Sequence, residues 1–466
     1  MHNILLKDLI NICGGTLLIG DENVILDNFS IDSRTINEKD IFVGIKGESF
    51  DGGCKYIDAL EKKAKGCILN NSINVDIEAI NKYKDIFIVL VDNTIECLQK
   101  LAKYKRELYD IPVIGITGSV GKTSTKDMVT SVLKEKYNVL STIGNHNNHI
   151  GVPLTILRLK DENCAVIEMG MNNLNEISVL SKIARPTVSI ITNVGTAHIG
   201  NLGSRENILK AKLEILDGMD ENGLLIVNND NDLLHNYYLS NKYKNIITYG
   251  IINDSNFIAK DIVYNKNYSL FSSNISGNNY DFKINVPGEA FVYNALVGVT
   301  IGCIFDIDIL KIKTGIENFS LTKKRMEIED IKNVTIINDA YNANLDSMNN
   351  AINYLGTLKT RKIAVLGDML ELGNYSEELH RKVAETIIKN KIDIVITVGD
   401  YSKYIKEELN KNNYNNIFSF DSNKEALNKL KKIINDGDTI LFKASNSMNF
   451  FDLCNDIKDY LKNKEV

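Results

Sequence analysis

The chain has no tryptophan, only four prolines and six histidines, and seven cysteines in 466 residues. No apolar run approaches the roughly eighteen residues that a membrane helix needs, so the helical membrane class is excluded. The cysteines (Cys13, Cys54, Cys67, Cys97, Cys164, Cys303, Cys454) are odd in number and never occur as Cys-x-x-Cys. That spacing rules out a zinc ribbon and a disulfide framework, and points to reduced thiols in a cytoplasmic protein. Lys7 and Asp8 interrupt the first residues, which lack an apolar h-region, so no signal peptide is expected. A surplus of positive charge is also missing: 54 Lys and Arg against 60 Asp and Glu leave a net charge of −6. Nucleic acid is therefore disfavoured as a partner. A phosphate-bearing small ligand is not, because backbone amides supply local attraction on an acidic surface.

What is present is ordinary for a globular protein. A content of 44% hydrophobic and 24% charged residues argues against disorder, and the length calls for two to four domains. Short apolar runs rich in β-branched residues alternate with amphipathic helical patterns, the signature of α/β folds with largely parallel sheets. Strands are expected at 41–45, 66–69 and 86–91, then at 113–117, 165–169, 188–193 and 224–228, and finally at 335–338, 362–366, 392–398 and 439–443. Residues 253–279 turn polar and read as a small antiparallel excursion. Apolar Ile95, Leu98, Leu101, Ala102 and Leu108 recur at helical spacing over 94–109, with Asn93 and Thr94 offering a cap. This helix is expected to link a first domain (1–92) to a second (93–319), with a third over 320–466.

The strongest local signal is Gly115-Ile-Thr-Gly118-Ser119-Val120-Gly121-Lys122-Thr123-Ser124, between an apolar strand and a helix carrying Met128, Val129, Val132 and Leu133. In that setting glycines let amides converge on phosphate oxygens, and the helix N-terminus adds its dipole. Lys122 would lie along the β and γ phosphates, and the Thr123 hydroxyl would reach Mg²⁺. The first glycine stands one residue early for the strict phosphate-loop pattern. Further on, Glu168 closes a strand, where a carboxylate beside a phosphate loop is placed to orient Mg²⁺. His198 follows the next strand in Thr192-Asn193-Val-Gly195-Thr-Ala-His198. Taken alone, His198 reads most simply as structural, and Lys210 and Lys212 as two solvated lysines on a helix. The polar stretch Gly144-Asn145-His146-Asn147-Asn148-His149 reads as a loop, since no Cys or carboxylate completes a metal site around its histidines.

In this order, the phosphate loop, Gly144-Asn145-His146-Asn147-Asn148, Glu168-Met-Gly, Ala197-His198 and Lys210-Ala-Lys212 resemble the Mur ligase superfamily over nearly the whole chain. Asp32-Ser33-Arg34 and Asp40-Ile-Phe-Val-Gly-Ile-Lys-Gly47 are similar to a uridine-nucleotide domain of that family. The stretches 338–348 and 366–373 are similar to its C-terminal domain. The resemblance implies a three-domain α/β protein: a small uridine-nucleotide domain, a central parallel-sheet ATPase domain and a Rossmann-like C-terminal domain.

The activity implied is ATP-dependent addition of D-alanyl-D-alanine to UDP-N-acetylmuramoyl-tripeptide through an acyl phosphate. The motif that recognises diaminopimelate in the preceding ligase is absent, which fits the last step of the pathway. By resemblance, Thr123 and Glu168 hold one Mg²⁺, while His198 and a carbamylated Lys212 serve a second. Gly118 to Ser124, Asn294, Arg325 and Asp339 contact ATP. Asp32, Ser33, Arg34, Gly47, Asn145, Asn147 and Asn148 contact the substrate. A monomer acting on small molecules in a bacterial cytoplasm is implied.

The chain also departs from the family pattern, with Ala290-Phe291 in place of His-Asn, Leu345 in place of Pro, and Asn446 in place of Arg. Three other readings stand beside this one. They are an amide ligase of another branch (an earlier muropeptide ligase or a folylpolyglutamate synthase), a phosphate-loop kinase or regulatory ATPase, and a non-catalytic nucleotide-binding paralogue.

Overall fold

Residues 3–321 and 325–463 are described by a computed structural model. Lys324, which opens the stretch Lys324-Arg-Met-Glu327, lies outside them. Three sheet-bearing units follow one another along the chain, referred to as the first, central and third domains. In the first, strands Phe29–Ser30, Ile41–Val43, Gly66–Asn70 and Phe87–Val91 run parallel, and Thr16–Ile19 closes the edge antiparallel. The polar segment after 250 forms a three-stranded antiparallel sheet, Lys260–Tyr264, Ser269–Ile275 and Asn278–Ile284.

The central sheet has seven parallel strands. Val113–Thr117 sits in its interior, with Cys164–Glu168 on one side and Val188–Ile191 on the other. Every residue of these three strands is buried, which is why they read as unbroken apolar runs without alternation. From Val113–Thr117 the chain passes to Val139–Ser141 and Cys164–Glu168 on one side, then crosses to Val188–Ile191 on the other. The direction of winding reverses there, and the crevice beyond the carboxyl ends of such strands is where open α/β sheets bind ligands. The phosphate loop, Glu168 and the turn leading to His198 all leave the sheet at that crevice.

The third domain carries Val334–Asn338, Asp438–Lys443, Arg361–Gly367, Ile394–Val398 and Ile417–Phe420 in parallel, with Glu327–Ile331 antiparallel at the edge. Among the described residues no helix is long and apolar enough to cross a membrane.

The expected linking helix runs Thr94–Glu107 and is capped by Asn93, whose Oδ1 accepts from Ile95 N at 2.9 Å and Glu96 N at 3.2 Å. It packs against helix Leu6–Cys13 of the first domain and helices Gly151–Leu157 and Glu176–Ala184 of the second. At its end Arg106, 7% exposed, donates to the carbonyls of Ala184, Tyr109, Ile111 and Arg185 at 2.5 to 3.3 Å. One guanidinium therefore ties off the end of helix Glu176–Ala184 and the approach to the central strand. Arg106→Ala should cost about 3 kcal/mol, because it strands those carbonyls in the interior. Urea unfolding followed by circular dichroism measures this.

Candidate functional site

The phosphate loop is shaped by close approach. Gly118 has φ +156°, and a Cβ there would lie 1.8 Å from Thr192 Oγ1. Gly121, at φ +85°, caps helix Lys122–Leu133. Asn193 holds the loop from the neighbouring strand end, its carbonyl accepting from Ser119 N at 3.1 Å and its Oδ1 from Val120 N at 2.9 Å. Lys122 Nζ donates to Gly118 O at 2.7 Å. Burial lowers the Lys122 pKa, and the Glu168 carboxylate opposes that shift.

Glu168 is 1% exposed. Its Oε1 accepts from Asn147 Nδ2 at 2.7 Å and Thr123 Oγ1 at 3.2 Å, while its Oε2 is buried with no partner among the described residues. A buried carboxylate oxygen left without a donor is costly, and a bound cation is the natural remedy. Among the described residues no three His, Cys, Asp or Glu side chains gather into a metal site. A cation here would draw its remaining ligands from hydroxyl and phosphate oxygens, which suits a hard ion such as Mg²⁺. The residues fit that group.

The cleft has a volume of about 310 Å³ and brings Lys122, Thr123, Asn145, Asn147, Glu168 and His198 of the central domain together with Arg325, Tyr341 and Glu371 of the third. Arg325 Nη2 donates to Thr123 Oγ1 at 3.2 Å, and its guanidinium lies 4.0 Å from the centre of the Tyr341 ring. His198 Nδ1 stands 3.1 Å from Glu371 Oε2, off the angle of a hydrogen bond. His198 holds the Glu371 carboxyl below its usual pKa. Lys212 is 1% exposed and has no hydrogen-bond or ion-pair partner among the described residues, so the solvated-lysine reading fails for it while Lys210 is exposed. Burial, then the nearby Lys122 charge, push its pKa well below 10.5.

Other predicted residues lie elsewhere. Asp32 and Arg34 are paired through two side-chain contacts of 2.9 and 2.8 Å in the first domain, with Ser33 between them in sequence, and in the same domain Gly47 N donates to Phe50 O. Asn148 does not line the cleft; its Oδ1 accepts from Ile150 N and Gly151 N at the start of helix Gly151–Leu157. Ser124 is buried behind the loop, and Asn294 Oδ1 accepts from Thr125 Oγ1 at 2.9 Å on the inner side of the same helix. Asp339 bonds Met326 N at 3.2 Å and Lys443 Nζ at 2.5 Å, so it braces the segment bearing Arg325. Leu345 opens helix Leu345–Thr357 after an intact Asn344–Ser347 capping box, a first-turn position that tolerates leucine or proline alike.

Tyr341, Asn342, Asn344, Ser347 and Glu371 line the cleft without having been assigned a role from sequence. Their signal was the polar density of 338–348 and the lone carboxylates Asp368 and Glu371 in the otherwise apolar 366–373, with no chemistry legible in either stretch alone.

Comparison with known proteins agrees with this arrangement. Residues 116–302 match the Mur ligase middle domain, and 324–446 match the Mur ligase glutamate ligase domain. The chain is 36% identical to the UDP-N-acetylmuramoyl-tripeptide–D-alanyl-D-alanine ligase of Bacillus subtilis, over 97% of each chain. It superposes on MurF of Acinetobacter baumannii with a TM-score of 0.89 at 28% identity, over 98% of this chain and 99% of that one. For MurF ligase of Thermotoga maritima in complex with ADP the TM-score is 0.81 at 27% identity, covering 94% and 98%.

The loop bearing Glu371 depends on a neutral histidine. His380, fully buried, accepts from Met369 N at its Nε2 (3.0 Å) and faces Ser376 O with Nδ1 (2.6 Å). Burial lowers its pKa from 6.5 against weaker opposing effects of the Ser376 carbonyl and Asp368. The unfolded chain therefore binds this proton first as pH falls. The contribution to stability is complete above about pH 6.5 and is lost as pH drops through that value toward the folded pKa. Melting temperatures at about pH 7.5 and 5.5 should show a larger fall for the wild type than for His380→Gln, which keeps an acceptor but does not titrate.

Proposed function

The chain belongs to the Mur ligase family, within it to the UDP-N-acetylmuramoyl-tripeptide–D-alanyl-D-alanine ligases, and we propose residue roles from that premise. The reaction adds D-alanyl-D-alanine to UDP-N-acetylmuramoyl-tripeptide at the expense of ATP, in peptidoglycan synthesis. The observation that carries the roles is the partnerless Glu168 Oε2 beside Lys122 and Thr123, in a cleft faced by Arg325.

The phosphate-loop amides and Lys122 bind the β and γ phosphates, Lys122 exchanging the Gly118 carbonyl for phosphate oxygen. Arg325 stabilises the charge on the transferred phosphoryl group from the third domain, where positioning and electrostatics carry most of the catalysis. Asn145 and Asn147 orient the substrate carboxylate, which is phosphorylated and then attacked by the amine of the dipeptide, with phosphate leaving. Mg²⁺, two ions in this reading, would be held by Thr123, Glu168, His198 and a carbamylated Lys212, and neutralises phosphate charge when bound. Burial favours the neutral Lys212 amine, the form that adds to CO₂ with release of a proton; the product is an oxygen ligand. A kinase has no call for such a lysine behind its phosphate loop.

In the first domain Asp32, Ser33, Arg34 and Gly47 take the uridine nucleotide. Domain limits of 1–92, 93–319 and 320–466 and a cytoplasmic monomer complete the reading.

ADP release should require both UDP-N-acetylmuramoyl-tripeptide and D-alanyl-D-alanine, and a panel of other dipeptides should respond weakly. Lys122→Ala should retain less than about a tenth of wild-type kcat with an unchanged melting temperature. Lys212→Ala should be nearly inactive and partly restored by formate or acetate, while Lys212→Arg stays inactive, because a guanidinium keeps its charge and takes up no CO₂. Full activity of Lys212→Ala without additive overturns the carbamate role.

A further inference from the structure

Residues 195–203 of the central domain, the turn that carries His198, are gripped at four points by the third domain. Asp346 Oδ2 accepts from Thr196 N at 2.8 Å and from Thr196 Oγ1 at 3.0 Å. Glu371 faces His198 with its carboxylate, and its carbonyl accepts from Gly200 N at 3.3 Å. The Tyr375 hydroxyl donates to Gly203 O. His198 and Glu371 both have left-handed backbones, with φ of +63° and +65°. Such backbones persist in residues of this type only where the surroundings hold them.

Asp346 is not needed by its own helix. Asn344 and Ser347 form the capping box of Leu345–Thr357, which leaves the Asp346 carboxylate to reach 150 residues back along the chain. The landing site is cut to fit. A Cβ on Gly195 would lie 2.1 Å from Asp346 Oδ2, and one on Gly200 would lie 2.7 Å from both Glu371 O and Gly373 N. Neither glycine has a left-handed φ, and Gly200 lies inside helix Ile199–Leu202, where alanine is locally the better residue. Both are small because of what docks on them.

We propose that Asp346 and Glu371 are positioning residues that fix the His198-bearing turn only when the third domain is docked, so that closure completes the site. This rests on the reading of His198 as a group acting at the phosphates. Undocked, Thr196 and Gly200 lose these partners to water, and the left-handed turn at His198 loses what holds it. The four docking contacts leave the phosphate loop untouched, and the bond that joins the loop to the turn, from Gly195 N to Ser119 Oγ at 3.0 Å, lies within the central domain and does not need docking, so nucleotide binding and turnover separate.

The test uses the full chain with one dye on the central and one on the third domain. Energy transfer is read with UDP-substrate and a non-hydrolysable ATP analogue, and ADP affinity, kcat and melting temperature are measured alongside. Gly200→Ala should keep ADP affinity within about twofold, lose at least about tenfold in kcat, and shrink the docked population. Its melting temperature should match or exceed that of the wild type. Asp346→Ala should behave alike, with Asp346→Asn recovering part of the loss because its amide oxygen still accepts from Thr196. Glu371→Gln, which keeps the shape and removes the charge, should lower kcat with docking retained.

An unchanged docked population in Gly200→Ala overturns the proposal. So does wild-type kcat in Asp346→Ala, or a kcat loss in either variant matched by lost ADP affinity and melting temperature. Wild-type kcat in Glu371→Gln removes Glu371 from it. A wild type that docks yet does not ligate the dipeptide refutes the proposed function instead, and the docking measurement still judges the latch.

Discussion

Glu168 ends a fully buried strand, and one of its carboxylate oxygens has no donor among the described residues. The interior of a sheet is a poor place for an uncompensated negative charge, and the chain supplies cationic side chains around it without pairing any of them to it. Lys122 is turned back onto the Gly118 carbonyl and Arg325 onto the Thr123 hydroxyl, while the Lys212 amine, which burial favours in its neutral form, has no partner among the described residues. The site is thus held in electrostatic tension in which each charged group keeps a temporary partner or none. A nucleotide polyphosphate with its cation would relieve Glu168, Lys122 and Arg325 at once, which is the physical basis of the roles proposed for them.

The sheet topology determines where that tension is placed. At the reversal beside Val113–Thr117 three adjacent strand ends open onto one crevice, and the phosphate loop, Glu168 and the approach to His198 occupy those ends. The third domain adds what a rigid sheet edge cannot: groups that arrive from outside and exclude water. Arg325 is carried on a segment braced by Asp339, which is itself tied to Lys443. Asp339 therefore serves the site at one remove, by fixing the segment from which the arginine reaches.

Much of this was legible in the sequence because it was local. An apolar run ending in glycines and lysine, followed by an amphipathic helix, specifies a phosphate loop within a dozen residues, and the buried parallel strands announce themselves by lacking alternation. Glu168 could be placed at a strand end for the same reason. The burial of Lys212 could not, because helix Arg205–Leu213 has little amphipathic character and its lysines look alike until the fold buries one of them. Asn148 shows the reverse: it sits among cleft asparagines in sequence, but in the fold its side chain accepts from the free amides of Ile150 and Gly151 where a helix begins. The latch on residues 195–203 was beyond reach, since Asp346 and Thr196 are 150 positions apart and nothing in either segment names the other.

The departures from the family pattern can be weighed by what each residue touches. Phe291 is buried at the start of helix Glu289–Ile304 and packs 6.3 Å from the Phe319 ring, so its side chain belongs to the core and offers a nucleotide no polar group. Asn294 keeps a bond to Thr125, which joins this helix to the one that starts at Lys122. Leu345 leaves its helix cap intact, and Asn446 is exposed at the end of the third domain's sheet. Among the described residues no hydrogen bond or ion pair joins Phe291, Leu345 or Asn446 to Glu168, Lys122, His198 or Lys212. Divergence has gathered where packing, a backbone cap or solvent carries the role. The residues whose charges must balance one another in the cleft have no such substitute, and an exchange of any one of them would leave the others uncompensated.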